Sequence, residues 1–403
     1  MDVISRFSEY VTYHTTSDEE SDTYPSTERQ KALGRRLAEE LRLLGAEDAH
    51  MDEFGCVYAY LPPTAPEAPE PIGFIAHMDT SPDAPGENVK GRLFRYEGGD
   101  IRLSDTEITS VKDFPFLEKY RGQRLIVTDG TTLLGADDKA GVAEIVTAAE
   151  TLLSHPELKR RGVAICFTPD EEVGAGTAHF DFDAFRAKRA YTVDGGALGE
   201  IEYENFNAAA VVLRVRGVNI HPGSAKNKMK NAVLMANEFV TRLPPAEAPA
   251  HTEGYEGFYH VSDFHGDEKA ATVKLLIRDH DREKFEARKA FIERLVSYLN
   301  GVYGDGTFTA EIKDSYYNMK EKIEPHMDLI TAAEEAFRKA GAEPKTVPIR
   351  GGTDGAVLSW RGLPCPNLST GGENFHSVHE FVSADAMETM VEVLVNLTLT
   401  DGA

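Results

Sequence analysis

Cysteine is scarce. The 403 residues hold only Cys56, Cys166 and Cys365. An odd, sparse set is no disulfide framework and shows no zinc-finger spacing, so a reducing compartment is expected. Long apolar runs are missing as well. No stretch approaches the ~18 apolar residues of a spanning helix, and the start, MDVISRFSEYV, has no basic head before an apolar core. A cytoplasmic protein with no membrane association is expected. Positive charge is in deficit too: 43 Lys and Arg face 67 Asp and Glu, a net charge of −24. That balance argues against non-specific attraction to nucleic acid or to an anionic membrane surface.

What remains is an ordinary globular composition, 41% hydrophobic and 27% charged, long enough for two domains. Leu33, Leu37, Leu41 and Leu44 fall on one face of a helix over 27–44, and Gly45 stops it. A strand over 56–61 leads into a proline-rich surface loop, PPTAPEAPEP. Short apolar strands follow at 72–76, 124–128, 163–168 and 189–193, with a helix from about 139 to 154. This alternation predicts an α/β class with a mostly parallel sheet. Near residue 207 the pattern changes. Strands at 208–216, 256–263, 270–278 and 307–313 enclose helices at about 226–242 and 282–299. The order β-α-β-β-α-β is the split unit of ferredoxin-like folds. We therefore expect a first α/β domain over 1–206 and 317–403, the latter with helices near 326–340 and 384–400. An α+β domain over 207–316 is inserted between them.

The polar residues beside the first domain's strands are unusual. Strand 72–76 runs into His77-Met78-Asp79-Thr80. The segment after 124–128 reaches Gly135-Ala136-Asp137-Asp138-Lys139. Strand 163–168 ends in Asp170-Glu171-Glu172, and 189–193 in Asp194-Gly195-Gly196. Open α/β sheets bind ligands beyond the carboxyl ends of their strands. Taken singly, each run has an ordinary reading. Adjacent glutamates are common in so acidic a chain, Asp-Asp can cap a helix, and Asp-Gly-Gly makes a turn. Together, at four strand ends of one expected sheet, they suit divalent cations. One histidine with several carboxylates favours zinc, or less selectively manganese or cobalt.

HMDT (77–80), LLGADDKAG (133–141), FTPDEEVG (167–174), YTVDGG (191–196), NIHPGSAK (219–226), EGYEGFYH (253–260), IRGGTDG (349–355) and CPNLSTGGENFHSVHEF (365–381) run in order along the chain. They resemble the peptidase T family, tripeptide aminopeptidases of the zinc-dependent peptidase and deacylase superfamily that includes carboxypeptidase G-like enzymes. EGYEGFYH and RGGTDG are the motifs most particular to that family. The resemblance implies a zinc-peptidase domain with an inserted lid and two zinc ions per subunit, replaceable by manganese or cobalt. Asp137 would bridge the ions, His77 and Asp194 completing one set of ligands, Glu172 and His376 the other. Glu171 would be the general base, Asp79 would orient His77, and His221 would stabilise the oxyanion. His376 rather than His379 fits the family's His-x-x-x-Glu pattern, with Glu380 four residues on. Arg278 and Arg350 would bind substrate, with Asn207, Thr353 and Asn374 as weaker candidates. The chain departs at Ser377-Val378, where the family more usually has Gly-Lys. The expected partner is a short peptide. Rival readings are an N-acyl amino acid deacylase or dipeptidase, a two-metal phosphohydrolase, and a non-catalytic peptide-binding module. A homodimer, and hence the subunit in which His221 acts, is left open.

Overall fold

Apolar runs bounded by glycine and proline become strands covered on both faces. Ile72–His77 and Val163–Thr168 are buried at every residue, as strands of a parallel sheet flanked by helices must be. They pair in parallel with His77 opposite Thr168, and Ala190–Gly195 lies parallel on the other side of Ile72–His77. The computed structural model describes residues 1–65 and 67–400. Pro66 of the proline-rich loop and residues 401–403 of the expected second catalytic stretch lie outside them.

The full sheet has eight strands, in the order Glu47–Met51, Val57–Leu61, Val163–Thr168, Ile72–His77, Ala190–Gly195, Asn367–Ser369, Glu200–Glu202 and Lys345–Thr346. Its centre is parallel, and its first two pairings are antiparallel. Helices Gln30–Leu44, Ala136–Ser154, Met327–Lys339 and Ala384–Thr398 belong to the same compact unit, made of Met1–Tyr203, Glu321–Val347 and the chain from Thr353 onward. Leu33, Leu37 and Leu41 are fully buried, and Gly45 ends their helix at φ +98°, a left-handed value that favours glycine. No helix among the described residues is long and apolar enough to cross a membrane.

One strand is elsewhere than expected. Arg124–Val127 pairs antiparallel with Arg92–Arg95 and Phe381–Ser383 in a separate four-stranded sheet. The four polar clusters therefore do not all leave strands of one sheet, and Asp137 arrives in the first turn of helix Ala136–Ser154. A four-residue apolar run carries no periodicity that names its sheet.

The second compact unit comprises Glu204–Lys320 with Pro348–Gly352. Its strands, Asn207–Arg216, Phe258–Gly266, Ala270–Asp279 and Phe308–Tyr316, form an antiparallel sheet in the order second, third, first, fourth. Ala209, Val211, Leu213 and Val215 are buried, while Arg214 and Arg216 between them are exposed, the alternation of a sheet covered on one face. Phe239 and Phe285, from helices Ala232–Thr241 and Arg282–Tyr303, complete that core with Ile292 and Leu299. The first helix starts later than the expected 226 because Asn231 caps it, accepting from the Leu234 N–H.

Glu144, on helix Ala136–Ser154, is fully buried, and neither carboxyl oxygen has a hydrogen-bond partner. Burial pushes its pKa well above the ordinary carboxyl range. Above pH ~4.3 the unfolded chain releases a proton that the folded chain keeps, so this group lowers stability as pH rises toward its folded-state value. Glu144→Gln should remove that slope. Calorimetry should show the variant gaining more in melting temperature over the parent at pH 8 than at pH 5, and an equal difference at both would refute it.

Candidate metal centre

His77 is the last residue of Ile72–His77, and Asp194 sits near the end of the adjacent parallel strand. Helix Ala136–Ser154 brings Asp137 beside them. The helix lies so close to strand Ala190–Gly195 that a Cβ on Gly141 would stand 1.9 Å from the Val193 carbonyl oxygen. The last glycine of GADDKAG is therefore required by the approach that sets Asp137 next to Asp194. His77 Nε2 lies 2.8 Å from Asp137 Oδ1 and 3.3 Å from Asp194 Oδ1. The other Asp137 oxygen faces a second histidine, Oδ2 lying 3.3 Å from His376 Nε2. That same Nε2 is 2.9 Å from Glu172 Oε2. Two groups result, His77–Asp137–Asp194 and Asp137–Glu172–His376, each with ligand atoms within 4.8 Å of one another. Asp137 belongs to both.

The three carboxylates of Asp-Glu-Glu divide their work. Asp170 adopts a left-handed φ of +58° and points away from the cluster. It accepts hydrogen bonds from the Ser26 N–H and hydroxyl and from Gln30 Nε2. The turn thus anchored presents Glu172 to His376, and Glu171 belongs to neither ligand group. Asp79 is fully buried. Its carboxylate stands 3.3 Å from His77 Nδ1, and its two oxygens accept the main-chain N–H groups of Glu171 and Glu172 at 3.0 and 3.2 Å. One side chain therefore fixes a histidine ring and the Glu171-Glu172 turn together.

The electrostatics of the cluster favour added positive charge. Burial, then the charge of Asp137, pushes Glu172 up to about 8. Burial pushes Asp194 up to about 6, and Glu171 well above the carboxyl range, helped by the charge of Asp194. Burial also opposes ionisation of Asp137, but hydrogen bonds from His376 and His77 outweigh it and hold its carboxyl low. Hydrogen bonds to Asp137 and Glu172 raise His376 to about 11. Two histidines do not neutralise this many clustered carboxylates; divalent cations do. Glu172 Oε1 is buried without a partner, leaving lone pairs available to a cation. The donor set fits two metal ions.

Other residues have different duties. Asp138 accepts from the His77 and Gly141 N–H groups. His379 turns to Thr109 and Glu107, and Asn374, at φ +57°, donates to the His379 carbonyl. Thr353 caps helix Asp354–Trp360. In the second unit Asn207 bonds the main chain of Asp279, His280 and Asn318. His221 there is exposed, its Nδ1 accepting from the Gly223 N–H. Arg350 donates to the carbonyls of Thr252, Gly254 and Glu256, and Arg278 donates to the Arg350 carbonyl while its Nε has no partner. Sequence reasoning missed Asn367, whose Oδ1 accepts from the Asp194 N–H while its Nδ2 donates to buried Glu202. An asparagine opening the short buried strand Asn367–Ser369 was the available signal.

Two three-ligand groups sharing one carboxylate, with His77 and Asp194 at the carboxyl ends of adjacent parallel strands, are the arrangement of a two-metal hydrolase. The profile of peptidase family M20/M25/M40 matches residues 124–400. Peptidase T of Caldanaerobacter subterraneus subsp. tengcongensis is 53% identical over 398 residues, covering 98% of this chain and 97% of its own length. The fold is that of aminopeptidase PepT from Bacillus cereus (TM-score 0.76, 24% identity, 98% of this chain and 96% of that one). A tripeptidase from Staphylococcus aureus is similar (TM-score 0.77, 20% identity, the same coverage). The chain belongs to the M20 peptidases and, within them, to the peptidase T family.

Because Asp79 holds two parts of the centre, Asp79→Ala should weaken divalent-metal binding by roughly 10–100-fold, the usual effect of removing a group that orients metal ligands. Titration against a competing chelator would measure it, and an unchanged affinity would contradict the double role.

Proposed function

We propose that the chain is a tripeptide aminopeptidase that hydrolyses the first peptide bond of short peptides with free amino termini. The observation that carries this reading is similarity to peptidase T at about half identity over nearly the whole chain, with every expected ligand position filled. His77, Asp137 and Asp194 would hold one zinc ion, and Asp137, Glu172 and His376 the other. Bound there, two divalent cations supply Lewis acidity toward the scissile carbonyl and lower the pKa of a water.

Glu171 acts as the general base. It takes a proton from the attacking water as the water oxygen bonds to the carbonyl carbon. It then gives that proton to the departing amine as the C–N bond breaks. Its freedom from both ligand groups supports that role. Asp79 keeps His77 and the Glu171-Glu172 turn in place. The second unit serves as the lid, and His221 supplies a donor to the oxyanion. Arg278, with an unpartnered Nε, is the better of the two arginines for substrate binding, since Arg350 is occupied by main-chain carbonyls. Cytoplasmic peptide catabolism completes the reading, and three unpaired, buried cysteines support a reducing compartment.

The test is release of the N-terminal residue by zinc-loaded protein from a tripeptide, a dipeptide, an N-acetylated tripeptide and an acyl amino acid. Cleavage of the free tripeptide alone is expected. Preference for the acyl amino acid would replace the reading with a deacylase. Glu171→Gln should abolish turnover with zinc content unchanged. His221→Ala should lower kcat about 10²–10³-fold, the usual cost of one oxyanion donor, and a kcat within a factor of two of the parent's would remove His221 from the mechanism.

A further inference from the structure

Glu380 has no place in the chemistry above, yet it is 1% exposed and forms no ion pair among the described residues. It lies four residues after His376, immediately before strand Phe381–Ser383, which is paired with Arg124–Val127. Its carboxylate is fully engaged. Oε2 accepts the Leu134 and Gly135 N–H groups at 2.6 and 2.8 Å, and Oε1 accepts the Asp137 N–H at 3.0 Å. These donors lie in the segment that enters helix Ala136–Ser154, where Gly135 has φ +78° and Asp137 and Asp138 depart from helical backbone angles. Buried main-chain N–H groups outside regular structure need an acceptor, and this carboxylate supplies it. Lys139, also 1% exposed, donates to the Tyr13 carbonyl, and burial pushes its pKa down to about 7 against the nearby charges of Glu380 and Asp79.

We infer that Glu380 is a positioning residue for the shared carboxylate: it pins the backbone of Asp137 from the same short segment that delivers His376. Asp137 must present one oxygen to each ligand group, so a small rotation of its backbone misplaces both oxygens. Three hydrogen bonds from one buried side chain prevent that rotation. They also tie the placement of Asp137 to that of His376. A carboxylate serving only to cap the helix would need no link to the His376 loop.

This inference rests on the reading that the two groups bind divalent cations. The test uses full-length protein stripped of metal, with Zn²⁺ as the probe and a chelating fluorophore as competitor. Both stepwise affinities are read beside the melting temperature of the metal-free protein. Glu380→Ala should weaken both zinc sites by roughly 10–100-fold. Glu380→Gln, which keeps one acceptor oxygen but turns an amide against an N–H, should fall between Ala and the parent. If the Ala variant does not fold, the Gln variant decides. A lower metal-free melting temperature with both affinities unchanged would make Glu380 merely structural and overturn the inference. Loss confined to one site would also overturn it, because Asp137 serves both. Parent protein that binds no zinc would instead overturn the metal reading itself.

Discussion

Carboxylates repel one another and resist leaving water, and this chain gathers several of them around two histidines. Burial raises the pKa of Glu171, Glu172 and Asp194 together. Positive charge within the cluster therefore favours the ionised form of all three together. That constraint accounts for the density of main-chain hydrogen bonds around the centre. Asp79, Asp138 and Glu380 each accept N–H groups from the segments that carry ligands or the base, and Asp170 anchors the turn of the base to Ser26 and Gln30. Four acidic side chains that bind no metal in this reading hold the loops that do. The acid-rich motifs are thus partly a frame, made of the same residue type as the site it supports.

Much of this was legible because the two lengths of the chain write their patterns differently. Ile72–His77 and Val163–Thr168 are short apolar runs with abrupt polar ends, and burial on both faces produces that signature. Asn207–Arg216 alternates, as a strand covered on one face must. The miss at Arg124–Val127 has the same root. Its four apolar residues say strand, but the partner strand Phe381–Ser383 lies more than 250 residues away. Pairing at that separation leaves no local trace. At the site, residue types and order pointed to His77, Asp137, Glu172, Asp194 and His376. The duties of Asp170 and Asn367 depend on where distant segments fold back, at Ser26 in one case and Glu202 in the other.

The two motifs most particular to the peptidase T family take on a structural meaning in the second unit. Arg350, from IRGGTDG, donates to the carbonyls of Gly254 and Glu256, inside EGYEGFYH. Its guanidinium also lies 5.1 Å from the Phe206 ring centre and 5.8 Å from that of Phe258, within range of cation–π attraction. Arg278 reaches the Arg350 carbonyl from strand Ala270–Asp279. Two sequence motifs about a hundred residues apart are thus one braced loop. Lysine could not replace Arg350, because a point charge cannot fan out to several carbonyls while stacking on rings.

The two ligand groups are not equivalent. His77 is 2% exposed and ends a rigid central strand, whereas the His376 side chain is 40% exposed on a loop with a left-handed φ of +60°. A strand end holds its side chain through the sheet's own hydrogen bonds; a loop has to be held by something added. Asp137 joins the rigid group to the exposed one, so the loop must be referenced to Asp137 rather than to the sheet. Glu380 meets that requirement, being four residues from His376 and bonded to the Asp137 N–H. The asymmetry leaves the His376 side of the centre open to solvent while keeping its geometry tied to the buried side, as a hydrolase needs when substrate and water must reach ions that cannot move.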